Sequence, residues 1–364
     1  MKILIVIGTR PNFVKTAPLV EGLKVAKKNK RKIQYKIVHT GQHYDYEMSQ
    51  LFFQELKIPK PDYNLGIGGR SHAWQTARTM EKIEKVTIKE NPDIVIVLGD
   101  VNATLAGALV AAKLHVRIGH IEAGMRSFNK RMPEEINRVL TDHITDYHFC
   151  STKTAVLNLK NEGITKNVYN VGDIMYDTFL AGIKIASKNS KILNKLGIKK
   201  RNYYLATIHR AENTEDKKRL TNIINAFCKS YNPDVPIIFP IHPRTLKYLK
   251  SYKLWNRANK KIKIIKPVGY LDMLWLEKNA KKILTDSGGV QKEAYFAKVA
   301  CITLRDETEW VETVKDKWNI LVGADEKKIL KAIKNFSPKS KKHNYFGDGR
   351  TSKKIVDILE KKFK

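Results

Sequence analysis

The 364-residue chain has no run of about 18 consecutive apolar residues, the length a membrane-spanning helix requires. Its opening, MKILIVIGTRPNFVK, lacks a charged region leading to a cleavage site and reads as a buried strand entering a helix, so a cytoplasmic protein with no membrane partner is expected. Cysteine is scarce. Cys150, Cys228 and Cys301 are odd in number and widely spaced, with no CxxC and no histidine pair at zinc spacing, which argues against a disulfide framework or a zinc site and for buried, reduced thiols. Internal repeats of roughly 20 to 50 residues are missing, as are low-complexity linkers. Acidic residues are few: 36 Asp plus Glu stand against 68 Lys plus Arg, a net charge of +32. Such an excess raises nucleic acid as a partner. The lysines are spread, however, over Lys27, Lys28 and Lys30, Lys188 through Lys200, Lys260 to Lys266 and Lys327 to Lys364. Aromatic residues are not interleaved with them as base-stacking platforms require. The reading is a solvated basic surface that attracts small polyanions, with no nucleic-acid partner.

The length exceeds what one core usually serves, and about 150 residues per domain suggests two. Short β-branched runs alternate with helical patterns as far as Asp325, the signature of parallel sheets covered by helices. The strand segments are KILIVIG, KIVHTG, DIVIVLGD, RIGHIEAG, DYHFCST and NVYNVGD, then YYLATIHR, VPIIFPIH, IKIIKPVG, KKILTDSG, VACITL and NILVG. A boundary near Gly172 divides them into two doubly wound, Rossmann-like α/β domains, residues 1–171 and 172–349. In the tail, Ile355, Val356, Ile358 and Leu359 fall at helical spacing, with Thr351 or Ser352 as N-cap.

Chemistry-bearing residues collect at the C-terminal ends of these strands, where open α/β sheets bind ligands. In the first turn, GTRPNFVK, free amides with Arg10 and Lys15 suit an anion, although neither GxGxxG nor Walker A spacing is present. VLGD places Asp100, and HIEAG places Glu122, where an apolar strand stops; Glu134 stands nearby in MPEEINR. Converging carboxylates serve as general acid and base. Each also has an ordinary structural role open to it: a helix cap before Thr104 for Asp100, a salt bridge to Arg126 for Glu122, and a first-turn dipole partner for Glu134.

His209 closes LATIH ahead of Arg210, Glu212 and Asn213, and His242 closes FPIH. Neither histidine belongs to an HxH or HxxxE cluster that would point to a metal, so an uncharged hydrogen-bonding or phosphate-contacting role is expected. In TDSGGVQKE, Ser287, Gly288 and Gly289 join a strand to a helix and leave amides open toward a phosphate, with Glu293 one turn inside for ribose hydroxyls. A plain glycine turn is the ordinary alternative.

The segments GTRPNFVKTAPL, TGQHYD, VLGDVNATLAGALVAA, GHIEAGMRS, MPEEINRVLTDH, TIHRAEN, TDSGGVQKEA and RDETEWVE, in this order over nearly the whole chain, resemble the non-hydrolysing UDP-N-acetylglucosamine 2-epimerases. The resemblance implies a GT-B, glycogen-phosphorylase-like fold of two domains facing a cleft. It also implies a homodimer, and a C-terminal helix, 350–364, returning to the first domain. By the same resemblance Arg10, Lys15, His209, Ser287, Gly288, Gly289 and Glu293 match positions that contact the uridine diphosphate part, Asp100, Glu122 and Glu134 match the catalytic carboxylates, and His209 is counted with them.

The implied reaction is anti elimination of UDP across C1 and C2 to 2-acetamidoglucal, then syn re-addition, with no redox cofactor and no metal; the implied setting is polysaccharide biosynthesis. Gln42, His43, Arg70, Arg210 and His242 match part of a second UDP-N-acetylglucosamine site that activates bacterial members. Trp310, after Thr308-Glu309, gives a form also similar to epimerases of related diacetamido sugars. The competing readings are a GT-B glycosyltransferase, which needs an acceptor pocket in place of three carboxylates, a hydrolysing epimerase, and a non-catalytic nucleic-acid-binding protein.

Overall fold

A computed structural model describes residues 1–29, 31–41, 55 and 58–363, with the side chains of Arg10 and Pro11 outside that description. The chain divides into two compact units, Met1–Leu180 with Asn344–Lys364, and Ala181–His343.

The first unit is built on β1 (Lys2–Ile7), β2 (Gln34–His39), β3 (Tyr63–Asn64), β4 (Ile94–Leu98), β5 (Arg117–Ala123), β6 (Tyr147–Cys150) and β7 (Val168–Asn170). They form one parallel sheet in the order β3-β2-β1-β4-β5-β6-β7. Every strand read from the sequence is present, and the short β3 is an addition. Ile3, Ile5 and Ile7 of β1 pack into one core cluster while Leu4 and Val6 pack into another. Period-two side chains thus bury both faces, and this is why the strand is apolar throughout.

The second unit repeats the plan with β8 (Tyr204–Thr207), β9 (Ile237–Pro240), β10 (Lys263–Ile265), β11 (Lys282–Thr285), β12 (Ala300–Thr303) and β13 (Asn319–Leu321). Their order is β10-β9-β8-β11-β12-β13, again parallel. In each sheet the order reverses beside the first strand, between β1 and β4 and between β8 and β11. Crossovers leave in opposite directions there, opening a crevice at the carboxyl ends, and ligands bind open α/β sheets at this point.

The C-terminal helix, Thr351–Lys362, packs on the helix Arg10–Lys28 of the first unit. Ile355, Val356 and Leu359 enter the core beside Leu19, Val20 and Leu23, while Arg31 reaches Asp357 at 2.8 Å and Glu360 at 2.9 Å. Its capping corrects the sequence reading. Neither Thr351 nor Ser352 is the N-cap: Arg350 occupies that position, and the Asp177 carboxylate accepts from the Thr351 amide at 3.1 Å and the Ser352 amide at 2.8 Å. A carboxylate contributed from elsewhere in the fold satisfies the orphan donors and complements the helix dipole.

All three cysteines are free and buried, and burial pushes the Cys301 thiol up to about 12. Among the described residues, no helix is long and apolar enough to cross a membrane.

Candidate active site

In the first unit the turn after β1 is closed by Asn12, whose Oδ1 accepts from the amides of Gly8 at 3.1 Å and Thr9 at 3.2 Å. The Gly8 and Thr9 amides are therefore engaged within the turn itself. Asn12 also donates to the Leu98 carbonyl at 2.8 Å, tying the turn to the end of β4. The start of the helix Arg10–Lys28 is thus fixed at the point where the strand order reverses.

One turn into that helix, Lys15 donates to Glu122 Oε2, with side-chain exposures of 7% and 8%. Glu122 holds an unusual backbone position, at φ +76°, where the register between β5 and β6 shifts from Ile121 to Ala123. A non-glycine residue in the left-handed region is strained by roughly 1–3 kcal/mol and persists only where its surroundings over-determine it. A bulge of this kind re-aims a side chain. Gly99 makes the arrangement possible: at φ +67°, an added Cβ would come within 2.6 Å of Lys15 Nζ and 3.4 Å of Glu122 Oε2.

Asp100 follows that glycine and is partly exposed, at 27% of its side chain. Arg138 donates to its Oδ2 from Nη2 at 2.5 Å and Nε at 3.0 Å, and Arg138 also holds Glu135 at 2.8 Å. Glu135 is occupied further by the Ser127 hydroxyl and by the amides of Ser127 and Phe128, which marks it as a loop organiser. Glu134 is partly exposed in the first turn of the helix Pro133–His143, where its negative charge suits the helix dipole. Two ordinary roles do not occur: Asp100 does not cap the helix that starts at Asn102, and Arg126 pairs with Asp142 and Glu162 instead of Glu122.

In the second unit the ends of β8 and β11 are joined by the Thr207 and Thr285 hydroxyls, 2.6 Å apart. The buried Asp286 accepts from the amides of His209 and Arg210 and from Asn213 Nδ2, so one carboxylate shapes the whole HRAEN turn. His209 keeps 39% of its side chain exposed, with Nδ1 at 3.6 Å from Asp286. The His242 ring lies 5.7 Å from the His209 ring, and its Nδ1 accepts from the Arg244 amide at 3.1 Å. The Ser287 hydroxyl caps the helix Gly288–Ala297 by accepting from the Val290 amide.

Gly288 is required by packing, since a Cβ there would meet Glu309 Oε1 at 2.7 Å and Trp310 Nε1 at 3.2 Å. Lys292 lies over the Trp310 ring at 3.8 Å. Glu293 is buried and accepts from the Tyr270 hydroxyl at 3.2 Å. Beside it the Glu277 carboxyl is pushed well above its ordinary range, by burial first and by the Glu293 charge second.

The structure therefore brings Lys15 to Glu122, sets Asp100 on the neighbouring strand end, and clusters His209, His242 and Arg210 in the second unit. Arg70 lies elsewhere in the first unit, exposed, with its guanidinium 4.7 Å from the Trp74 ring. Gln42, His43 and the side chain of Arg10 lie outside the described residues. Sequence reasoning missed Asp286 as the organiser of the His209 turn and Arg138 as the partner of Asp100. Both stand inside segments already singled out, TDSGG and EEINR, which was the only signal available.

Fold and strand-end clusters together define a two-unit α/β enzyme of Rossmann-like build. Compared with known proteins, the chain belongs to the UDP-N-acetylglucosamine 2-epimerase family, whose model matches residues 25–360. Members of this family are isomerases. The chain is 56% identical over 363 residues, 99% of each chain, to a UDP-N-acetylglucosamine 2-epimerase homolog of Methanococcus maripaludis. It is 46% identical over 366 residues, 99% of this chain and all of the relative, to the UDP-2,3-diacetamido-2,3-dideoxy-D-glucuronate 2-epimerase of Pseudomonas aeruginosa. Among solved structures, the Methanocaldococcus jannaschii UDP-GlcNAc 2-epimerase in complex with UDP-GlcNAc and UDP matches with a TM-score of 0.91 and 49% identity, over 99% of both chains. The fold is of the GT-B type.

Proposed function

We propose that this protein catalyses the reversible epimerisation at C2 of UDP-N-acetylglucosamine to UDP-N-acetylmannosamine, by anti elimination of UDP to 2-acetamidoglucal and syn re-addition. The observation that carries this reading is the pair of carboxylates on neighbouring strand ends of the first unit, Asp100 held by Arg138 and Glu122 held by Lys15 at a strained bulge. The family, and a 49% identical relative solved with UDP-GlcNAc and UDP, give the substrate class.

The C2 proton of the sugar is weakly acidic and becomes removable as the anomeric C–O bond breaks with oxocarbenium-like charge, which carboxylates stabilise. One group takes the proton as C1=C2 forms and UDP leaves; a second group returns a proton to the opposite face as UDP adds back. Asp100, Glu122 and Glu134 share the acid, base and charge-stabilising work, joined by His209. Ser287, Gly288, Gly289, Glu293, Arg10 and Lys15 take the uridine diphosphate part, and Gln42, His43, Arg70, Arg210 and His242 bind a second UDP-sugar as activator. No metal or redox cofactor enters the scheme, and the enzyme acts as a cytoplasmic homodimer in polysaccharide biosynthesis.

A second reading keeps the reaction and changes the sugar. It is favoured by the 46% identical diacetamido-sugar epimerase and by the buried Trp310 beside Gly288. Chromatography of UDP-N-acetylglucosamine and of a UDP-diacetamido sugar, each incubated with the protein and no added cofactor, separates the two. UDP-N-acetylmannosamine at equilibrium from the first is expected. Turnover of the diacetamido sugar alone would install the second reading, and net transfer or free N-acetylmannosamine would contradict both.

A further inference from the structure

Behind the carboxylates of the first unit lies a buried polar cluster that the reaction scheme does not use. His120, on β5 two residues before Glu122, has no solvent exposure. Its Nδ1 is 2.7 Å from Asp142 Oδ1 and its Nε2 is 2.8 Å from the Gly99 carbonyl. A carboxylate and a carbonyl both only accept, so each ring nitrogen must donate and the ring carries a positive charge. The charges around it agree. Asp142 Oδ2 accepts from Arg126 Nη1 at 2.7 Å and from the Gly124 amide at 3.0 Å, and Arg126 makes a two-pronged pair with Glu162 at 2.7 Å for each bond. Arg126 and His120 thus face the carboxylates of Asp142 and Glu162, and the exposed His143 also lies 3.9 Å from Glu162 Oε2. Burial works to raise the Asp142 carboxyl, yet the His120 and Arg126 charges overcome it and hold that carboxyl below its ordinary range. His148, adjacent, is pushed below its ordinary range by burial foremost, and its Nε2 lies 2.8 Å from the Asp142 carbonyl.

The two outputs of this cluster are Gly99, the residue before Asp100, and Gly124, two residues after Glu122. Both have positive φ, at +67° and +77°, so each marks a chain reversal whose direction decides where the neighbouring carboxylate points. We propose that His120, doubly protonated and backed by Asp142 and Arg126, is a positioning residue that locks the two strand ends carrying Asp100 and Glu122 in one relative geometry. The inference rests on Asp100 and Glu122 being the groups that handle the proton. A carboxylate displaced by about 1 Å loses roughly 10²-fold in rate, so such a lock acts on turnover and leaves nucleotide affinity alone.

The test combines kinetics with a spectroscopic signature. His120→Gln keeps most of the volume and removes one donor. It should lower kcat by about tenfold or more, the scale on which orienting partners of reactive groups act, while UDP affinity stays within about twofold. Added to Asp100→Asn it should cause a much smaller further loss, because the two act through the same atom positions. In ¹⁵N-histidine-labelled parent protein, both His120 ring nitrogens should show protonated signals. An unprotonated His120 nitrogen in that spectrum overturns the proposal even if His120→Gln fails to fold; so does a folded His120→Gln variant with unchanged kcat, or with losses that simply multiply those of Asp100→Asn. Were Asp100→Asn and Glu122→Gln themselves to turn over normally, the catalytic assignment would fall instead, and the nitrogen signals would still report on His120.

Discussion

In the Glu122→Gln variant, epimerisation is expected to fall by about 10²-fold or more, the usual scale for a positioned acid or base, while UDP binding persists. Glutamine keeps the shape of the side chain and its ability to accept from Lys15, so the bulge at φ +76° is retained and only one carboxylate oxygen is replaced. Asp100→Asn should behave alike, since Arg138 still finds an oxygen there. Steady-state kinetics with a UDP-binding titration on the same preparations makes the comparison. Parent-like turnover in both variants would remove these residues from the chemistry.

Lys15→Met should have the largest effect on stability. Methionine preserves the apolar stem but removes the Lys15 cation from beside Glu122, which is 8% exposed. Breaking a buried ion pair from one side costs about 3–5 kcal/mol. The double variant Lys15→Met with Glu122→Gln should recover most of that stability and none of the activity, since an amide in the same place needs no counter-ion. Denaturant unfolding of the parent, both single variants and the double variant reads the cycle. A Lys15→Met protein as stable as the parent would show that the pair contributes nothing to the fold.

Much of this architecture is legible in the sequence because apolar strands alternating with helices are a local, periodic signal. Local reasoning also put Asp100 and Glu122 at the ends of apolar strands, where β4 and β5 have them, since an acid that ends an apolar strand stands out. It named none of their partners, for a physical reason. The ordinary roles open to them, a salt bridge to Arg126 for Glu122 and a cap before Thr104 for Asp100, draw on neighbours in sequence, whereas the fold supplies Lys15 from 107 residues away and Arg138 from 38. Arg126 is instead committed to Asp142 and Glu162, and the final helix is capped by Asp177, 174 residues before Thr351. Such pairings arise when strand ends from distant segments meet, and no spacing rule encodes them. The bulge at Glu122 was equally hidden, as it depends on the register of β5 against β6.

The fate of the C2 hydrogen tests the central claim most directly. Elimination sends that proton to a protein group and returns another from a different group on the opposite face, so epimerisation in heavy water should place deuterium at C2 of the product. A hydride route through a tightly held nicotinamide would usually return the same hydrogen, and the chain has no GxGxxG turn to hold one. Elimination further predicts slow leakage of UDP and 2-acetamidoglucal, increased when Glu134 or His209 is altered. Mass spectrometry of the products made in heavy water should therefore find C2-deuterated UDP-N-acetylmannosamine with traces of the glucal; unlabelled product with neither leaked species would contradict the elimination–addition account.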